Sequence, residues 1–187
     1  MAIANSLLFN VDWEKGYLSF LYPPVQDNLG VDGANIMCHR ERGAGRDIMG
    51  QSLSGGCLCG FVRYNAIPKE NAAYYCHCRD CQIGSASAFT VAIFSDEQSF
   101  RITSGEVATY ATVADSGRKL ERKFCQKCGT PLIWTGEGFP GTVLISLSSL
   151  DDPEAFQPVH EGWTDSAVSW SRISADVQSF PGRPVRG

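Results

Sequence analysis

No run in this sequence approaches the roughly 18 consecutive apolar residues that a membrane-spanning helix needs. Nor is there a surplus of positive charge. Sixteen Lys and Arg face twenty Asp and Glu, for a formal net charge of −4 and a pI near 5.3. Such a chain makes a poor general polyanion binder, so neither nucleic acid nor an anionic membrane is expected as a partner. Internal repeats and low-complexity tracts are missing too. The opening stretch "MAIANSLLFNVDWEKGYLSF" lacks a basic n-region and carries Asp12 and Glu14. A secretory signal is therefore not expected, and a reducing cytoplasm is the expected compartment.

What is present is enough apolar material for one real core: 187 residues, 43% hydrophobic and 19% charged, which suits one domain with an extension. Nineteen glycines and nine prolines are spread along the chain, as expected of many short elements joined by tight turns, hence a mainly β fold. Residues 1–50 show no sustained period of 2 or 3.6 and are broken by Pro23-Pro24. They are expected to form an N-terminal extension, packed on the domain or loosely ordered, with the domain itself spanning 51–187. Beyond residue 55 the pattern turns dense. "GGCLCGFVRYNAI" alternates, with Phe61, Arg63 and Asn65 on one face and Val62, Tyr64 and Ala66 on the other. Further strands are predicted over 88–95, 100–105, 108–112, 118–125, 131–136 and 141–150. "DDPEAF" (151–156) predicts one helical turn, with Asp151 or Asp152 as N-cap and Pro153 at N1.

Seven of the eight cysteines fall in three groups, Cys38 standing apart. "CLCG" holds Cys57 and Cys59, "CHCRDC" holds Cys76, Cys78 and Cys81, and "CQKCG" holds Cys125 and Cys128. Clusters of this kind in a cytosolic-looking chain point to metal or redox chemistry. The two pairs, each followed by a glycine able to take positive φ, make a closed four-sulfur site for a structural zinc, tying a strand near residue 60 to one near 125. The middle trio supplies three sulfurs from one loop, one ligand short of a tetrahedron. That is the arrangement of a catalytic zinc with its fourth position left to water or substrate. Three alternatives stand beside this reading: cysteines as small core residues, a disulfide framework, and a second structural zinc completed by His77 or His160. His77, between two candidate ligands, is expected to point away from them.

The stretches "GGCLCGFVRY", "CHCRDCQIGSASAF", "FRITSGEVATY", "RKFCQKCGTPL", "LDDPEAFQPVHEGWTDSAVSW" and "FPGRP" closely resemble the glutathione-dependent formaldehyde-activating enzyme (GFA) or CENP-V family over about residues 54 to 184. The resemblance implies a β-tent fold with zinc knuckles and a few short helical turns. It implies carbon–sulfur lyase activity, with two zinc ions per chain: a structural one on Cys57, Cys59, Cys125 and Cys128, and a catalytic one on Cys76, Cys78 and Cys81. It also implies glutathione, or an adduct of it, as the small-molecule partner, as in formation of S-hydroxymethylglutathione from glutathione and formaldehyde. The chain departs from the family in having "CQIGSAS" where a basic residue often follows the third middle cysteine, and its first 50 residues match nothing in the family. A larger thiol adduct is thus an alternative substrate. Relatives of the fold also serve as non-catalytic binding modules, so a zinc-stabilised scaffold is a further alternative. Homo-oligomers are compatible with either.

A thiol that adds to a carbonyl must give up its proton, and His77 and Asp80 sit beside the ligands as candidates to move it. Glutathione carries two carboxylates, for which Arg79, Arg118 and Arg122 are the candidate partners, with Lys119 and Lys123 nearby. Trp163 and Trp170 are candidate pocket walls. Each has an ordinary alternative: loop residues, a solvated strand face, and core packing.

Overall fold

The computed structural model describes residues 47–114, 117–171, 173 and 175–184, together with two short strands further upstream. The chain divides into two compact units, Met1–Glu41 and Arg42–Gly187. In the first, strand β1 (Asn10–Asp12) pairs antiparallel with β2 (Tyr17–Ser19). Most of residues 1–48, Cys38 included, lies outside the described residues.

The second unit is mainly β. A three-stranded antiparallel sheet is built from β3 (Leu53–Gly56), β4 (Arg63–Ala66) and a strand that follows residue 100. Between them in the chain come β5 (Pro68–Cys76), helix α1 (Arg79–Ser85) and β6 (Thr90–Asp96); the third strand of the small sheet is β7 (Arg101–Ser104). The remaining strands are β8 (Val107–Val113), β9 (Lys119–Cys125), β10 (Pro131–Gly136), β11 (Thr142–Ser146), β12 (Pro158–Gly162) and β13 (Gln178–Phe180). These six, with β5 and β6, form one eight-stranded sheet in the order β13-β12-β5-β6-β11-β10-β9-β8, parallel at β13–β12–β5 and antiparallel elsewhere. Single turns of 3-10 helix follow at Leu147–Ser149, Pro153–Ala155 and Thr164–Ser166. Asp152 stands at the N-cap position of the second of these, followed by Pro153, as the sequence predicts, but its side chain makes no capping hydrogen bond.

Cross-strand register decides which side chains share a face. Ile93, Ile145 and Ile133 lie opposite one another across β6, β11 and β10, and the next row is Phe94, Leu144 and Trp134. Side chains alternate along a strand, so the two rows point to opposite faces. The isoleucine row joins Tyr64 and Ala66 of the small sheet, and Val62 just before β4, in the main core. The alternation expected around β4 is therefore present. The other row joins Ala92, Tyr74, Leu120 and Phe139 in a second apolar cluster, and both faces of the large sheet are apolar at its centre. The small sheet is also tied at its surface to the segment between the first two 3-10 turns. Arg63 of β4 donates from both terminal nitrogens to Asp151, and Ser54 of β3 donates to the same carboxylate at 2.6 Å. Arg63 holds the Asp151 carboxyl below its usual range. Both side chains are more than a third exposed, which limits the pair to roughly 1 kcal/mol or less.

Six stretches correct the sequence reading. The segment 57–62 is a turn rather than part of a strand. β5, β12 and β13 were not predicted. The run 141–150 is a strand only to Ser146 and then closes into a 3-10 turn. "CRDCQIGS" is a strand-to-helix junction rather than an extended loop: Cys76 ends β5, Cys78 is the N-cap of α1, and Cys81 sits in its first turn.

Candidate metal centres and the cleft beside them

Cys57 and Cys59 lie in the turn between β3 and β4; Cys125 ends β9 and Cys128 lies in the turn to β10. Each turn is closed by a glycine in the left-handed region, Gly60 at φ 74° and Gly129 at φ 73°. A Cβ at either would meet no atom within 4 Å, so backbone conformation rather than space calls for glycine there. Both turns aim a backbone N–H at sulfur, from Val62 to Cys57 at 3.2 Å and from Lys127 to Cys125 at 3.4 Å. The four sulfurs lie within 4.8 Å of one another, with Cys57–Cys59 at 3.5 Å and Cys59–Cys125 at 3.8 Å. A tetrahedron with metal–sulfur bonds of ~2.3 Å has edges of about 3.8 Å, whereas a disulfide bond is about 2.0 Å. All seven of these cysteines are free. The Thr130 hydroxyl and backbone hold the Cys128 thiol down to about 5. The quartet thus offers the donor atoms, spacing and charge that suit a soft divalent cation.

The trio is assembled differently. β5 delivers Cys76, and the first turn of α1 brings Cys81 back toward it, its N–H donating to the Cys78 carbonyl at 2.9 Å. The three sulfurs lie within 4.8 Å of one another, Cys76–Cys78 at 3.6 Å. Three adjacent thiols cannot all ionise together without a cation between them. Hydrogen bonds from Cys76 and Cys81, with the positive charge of Arg122, drive Cys78 down to about 3, while its thiolate and burial push Cys76 up. A divalent cation removes that conflict, so the donor set fits one.

The trio opens on a cavity of about 930 Å³ over the outer face of the eight-stranded sheet. Register explains what lines it. Gly162, Cys76 and Thr90 lie opposite one another, as do His160, Tyr74 and Ala92, and as do Leu144, Trp134 and Arg122. One face therefore presents Cys76, Arg122, Trp134 and His160 together. Of the residues singled out in the sequence, Asp80, Arg118, Lys119, Arg122, His160 and Trp163 line this cavity with the three cysteines. Arg122 lies 3.6 Å from Asp80 and beside Gly84 of α1. Trp163 is held at φ 62°, in the left-handed region a bulky side chain seldom adopts, its N–H donating to the Gly182 carbonyl.

Other candidates lie elsewhere. His77 turns away from the cavity, as alternation requires; it is 1% exposed and its Nε2 lies 3.0 Å from Glu161. Arg79 donates to the Gln82 side chain at 3.0 Å and is not in the lining. Lys123 faces Glu121 on the opposite side of β9, and Trp170 is 76% exposed. Sequence reasoning missed Trp134, Arg183 and Gln82. The buried Gln82 amide donates to the carbonyls of His77 (2.7 Å) and Ser166 (2.8 Å), fastening the cysteine junction to the turn that follows Trp163. "PLIWTG" marked Trp134 as a strand residue, but nothing local marked its face.

No helix among the described residues is long and apolar enough to cross a membrane. Comparison with curated proteins gave no match. A crystal structure of a Rhodobacter sphaeroides protein is 18% identical, with a TM-score of 0.46, over 53% of this chain and 88% of that one. The family model for the glutathione-dependent formaldehyde-activating enzyme matches residues 52–166, a span that takes in both cysteine clusters and most of the cavity wall. On that match the chain belongs to the glutathione-dependent formaldehyde-activating enzyme family.

Proposed function

We propose that this chain is a zinc-dependent carbon–sulfur lyase acting on glutathione adducts, including S-hydroxymethylglutathione. Cys57, Cys59, Cys125 and Cys128 hold a structural zinc in this reading, and Cys76, Cys78 and Cys81 a catalytic one. The observation that carries it is the difference between the two clusters: four sulfurs close on themselves between two turns, whereas three face a cavity. Zinc held by Cys76, Cys78 and Cys81 would supply the positive charge that favours ionisation of an incoming thiol.

The chain's own residues do the rest. In the forward direction a sulfur–carbon bond forms at the carbonyl carbon, and the thiol proton finishes on the former carbonyl oxygen. No electrons change hands. Asp80, in the cavity wall beside the trio, is the carboxylate placed to carry that proton. Arg122 and Arg118, with Lys119 and Arg183 in the same wall, supply the cations for glutathione's two carboxylates. His77, turned toward Glu161, fixes the junction rather than touching substrate. Residues 1–50 are an extension to a catalytic domain at 51–187, and seven free thiols suit a reducing cytoplasm.

The test is NMR exchange between free glutathione plus formaldehyde and their adduct. Wild type is expected to accelerate it. Cys78→Ser, with an unchanged circular dichroism spectrum, is expected to return it to the uncatalysed rate. Wild type with full metal occupancy and no acceleration refutes the proposal.

A further inference from the structure

The geometry points to a thiol adduct with a large apolar, aromatic carbonyl carbon substituent as the preferred substrate, its ring seated on the half-buried Tyr74, Phe94, Leu120 and Phe139 that pack against Trp134. The inference rests on the lyase reading above and names the substrate class of that same site.

Three observations carry it. The first is size. Small-ligand sites run from about 300 to 1,000 Å³; at about 930 Å³ this one lies near the upper end. A tripeptide thiol fills roughly a third of it at ordinary packing density, and the hydroxymethyl group of a formaldehyde adduct adds only two non-hydrogen atoms. The second is the lining. Tyr74, Phe94, Leu120 and Phe139, all half-buried, form one apolar cluster on the cavity face of the sheet with the buried Trp134 and Leu144. Tyr74 and Phe94 stack there at 4.9 Å with 21° between ring planes. Ring faces of this kind favour another ring in offset or edge contact. The third is the division of charge. Arg122 is adjacent to Trp134 in register and lies against α1, so the cation stands between the sulfur trio and the aromatic row. Glutathione's carboxylates meet the cations while its sulfur substituent extends over the rings.

The chemistry is unchanged: sulfur adds to the aldehyde carbon of an aryl or arylalkyl aldehyde, the proton ends on oxygen, and the reverse step returns both partners.

Calorimetric titration of the metal-loaded full chain with S-methylglutathione and S-benzylglutathione tests the assignment, since the two probes differ only in what reaches the wall. S-benzylglutathione is expected to bind at least tenfold tighter, about 1.4 kcal/mol. Phe139→Ala and, as a second variant, Phe94→Ala are expected to bring the ratio toward one while leaving S-methylglutathione affinity within about twofold. Equal affinities in wild type, with adduct exchange intact, overturn this inference and leave the lyase reading standing. Failure of both probes and of glutathione itself to bind overturns the lyase reading as well.

Discussion

Gly84 gives the sharpest single test of how the cationic wall is built. A Cβ at this position would sit 2.9 Å from Arg122 Nη1 and 3.5 Å from its Cζ. Carbon contacts are comfortable at about 3.5–4.0 Å, so Gly84→Ala obliges the guanidinium to withdraw by roughly 1 Å. The stability cost is small and of mixed sign. Alanine gains up to about 1 kcal/mol over glycine inside a helix, less here because Gly84 is the penultimate residue of α1. Against this stands the Arg122–Asp80 pair at 3.6 Å, whose carboxylate is 42% exposed and which is worth about 0–1 kcal/mol. The melting temperature is thus expected to move by no more than about 3 °C. Function responds more. A hydrogen bond to a charged group contributes about 1.5–3 kcal/mol, and its partial loss corresponds to a threefold to thirtyfold rise in KM for glutathione. The double variant Gly84→Ala/Arg122→Ala is expected to be no worse than Arg122→Ala alone, because both changes remove the same contact. An unchanged KM, or additive effects in the double variant, refutes the placement of Arg122 against substrate.

Gln82→Leu removes the donor shared by the His77 and Ser166 carbonyls. It is expected to cost about 2–4 kcal/mol and to loosen metal held by the trio, read by denaturant titration and by chelator competition. Tyr64 supplies a pH test. Burial pushes its hydroxyl up to about 12, and it donates to Ser149 at 2.6 Å, since Ser149 spends its own proton on the Ser146 carbonyl. A phenol whose folded value lies above the unfolded ~10 contributes stability that is complete below pH 10 and is lost as pH rises through 12. Tyr64→Phe is expected to lose about 1 kcal/mol at neutral pH and to show a shallower decline between pH 10 and 12 in urea melts. A parallel decline in both proteins refutes the assignment. Gly55→Ala drives a Cβ to 2.4 Å from the Tyr64 hydroxyl and 2.5 Å from the Ser149 carbonyl, and is expected to destabilise the chain strongly, read as a fall in melting temperature.

The cysteine groups were legible because each turn is local and Gly60 and Gly129 mark the two pairs; that the pairs converge on one another is set by the fold. The alternation Val62, Tyr64, Ala66 was legible because only one face of β4 is buried. β5 was not, since "PKENAAYYC" begins with proline and polar residues and has no clean period; its place comes from pairing with β6 and β12. α1 has seven residues, too few for helical periodicity to show. The cavity itself was hidden for a physical reason. Ile93 and Phe94, Ile145 and Leu144, Ile133 and Trp134 are all apolar neighbours, so the sequence does not reveal which member of each pair faces the core and which the cavity. Arg118 and Arg122 could be picked out by their nearness to Cys125, but only the pleat separates Arg122 from Lys123.

The central claim, that four sulfurs fasten the fold while three hold a reactive metal, is tested most directly by counting zinc per chain. Mass spectrometry of wild type, Cys78→Ser and Cys125→Ser, purified under reducing conditions, makes the count. Two zinc ions in wild type are predicted, with one in a folded Cys78→Ser and an unfolded or aggregated Cys125→Ser. One zinc in wild type, unchanged by Cys78→Ser, contradicts the account.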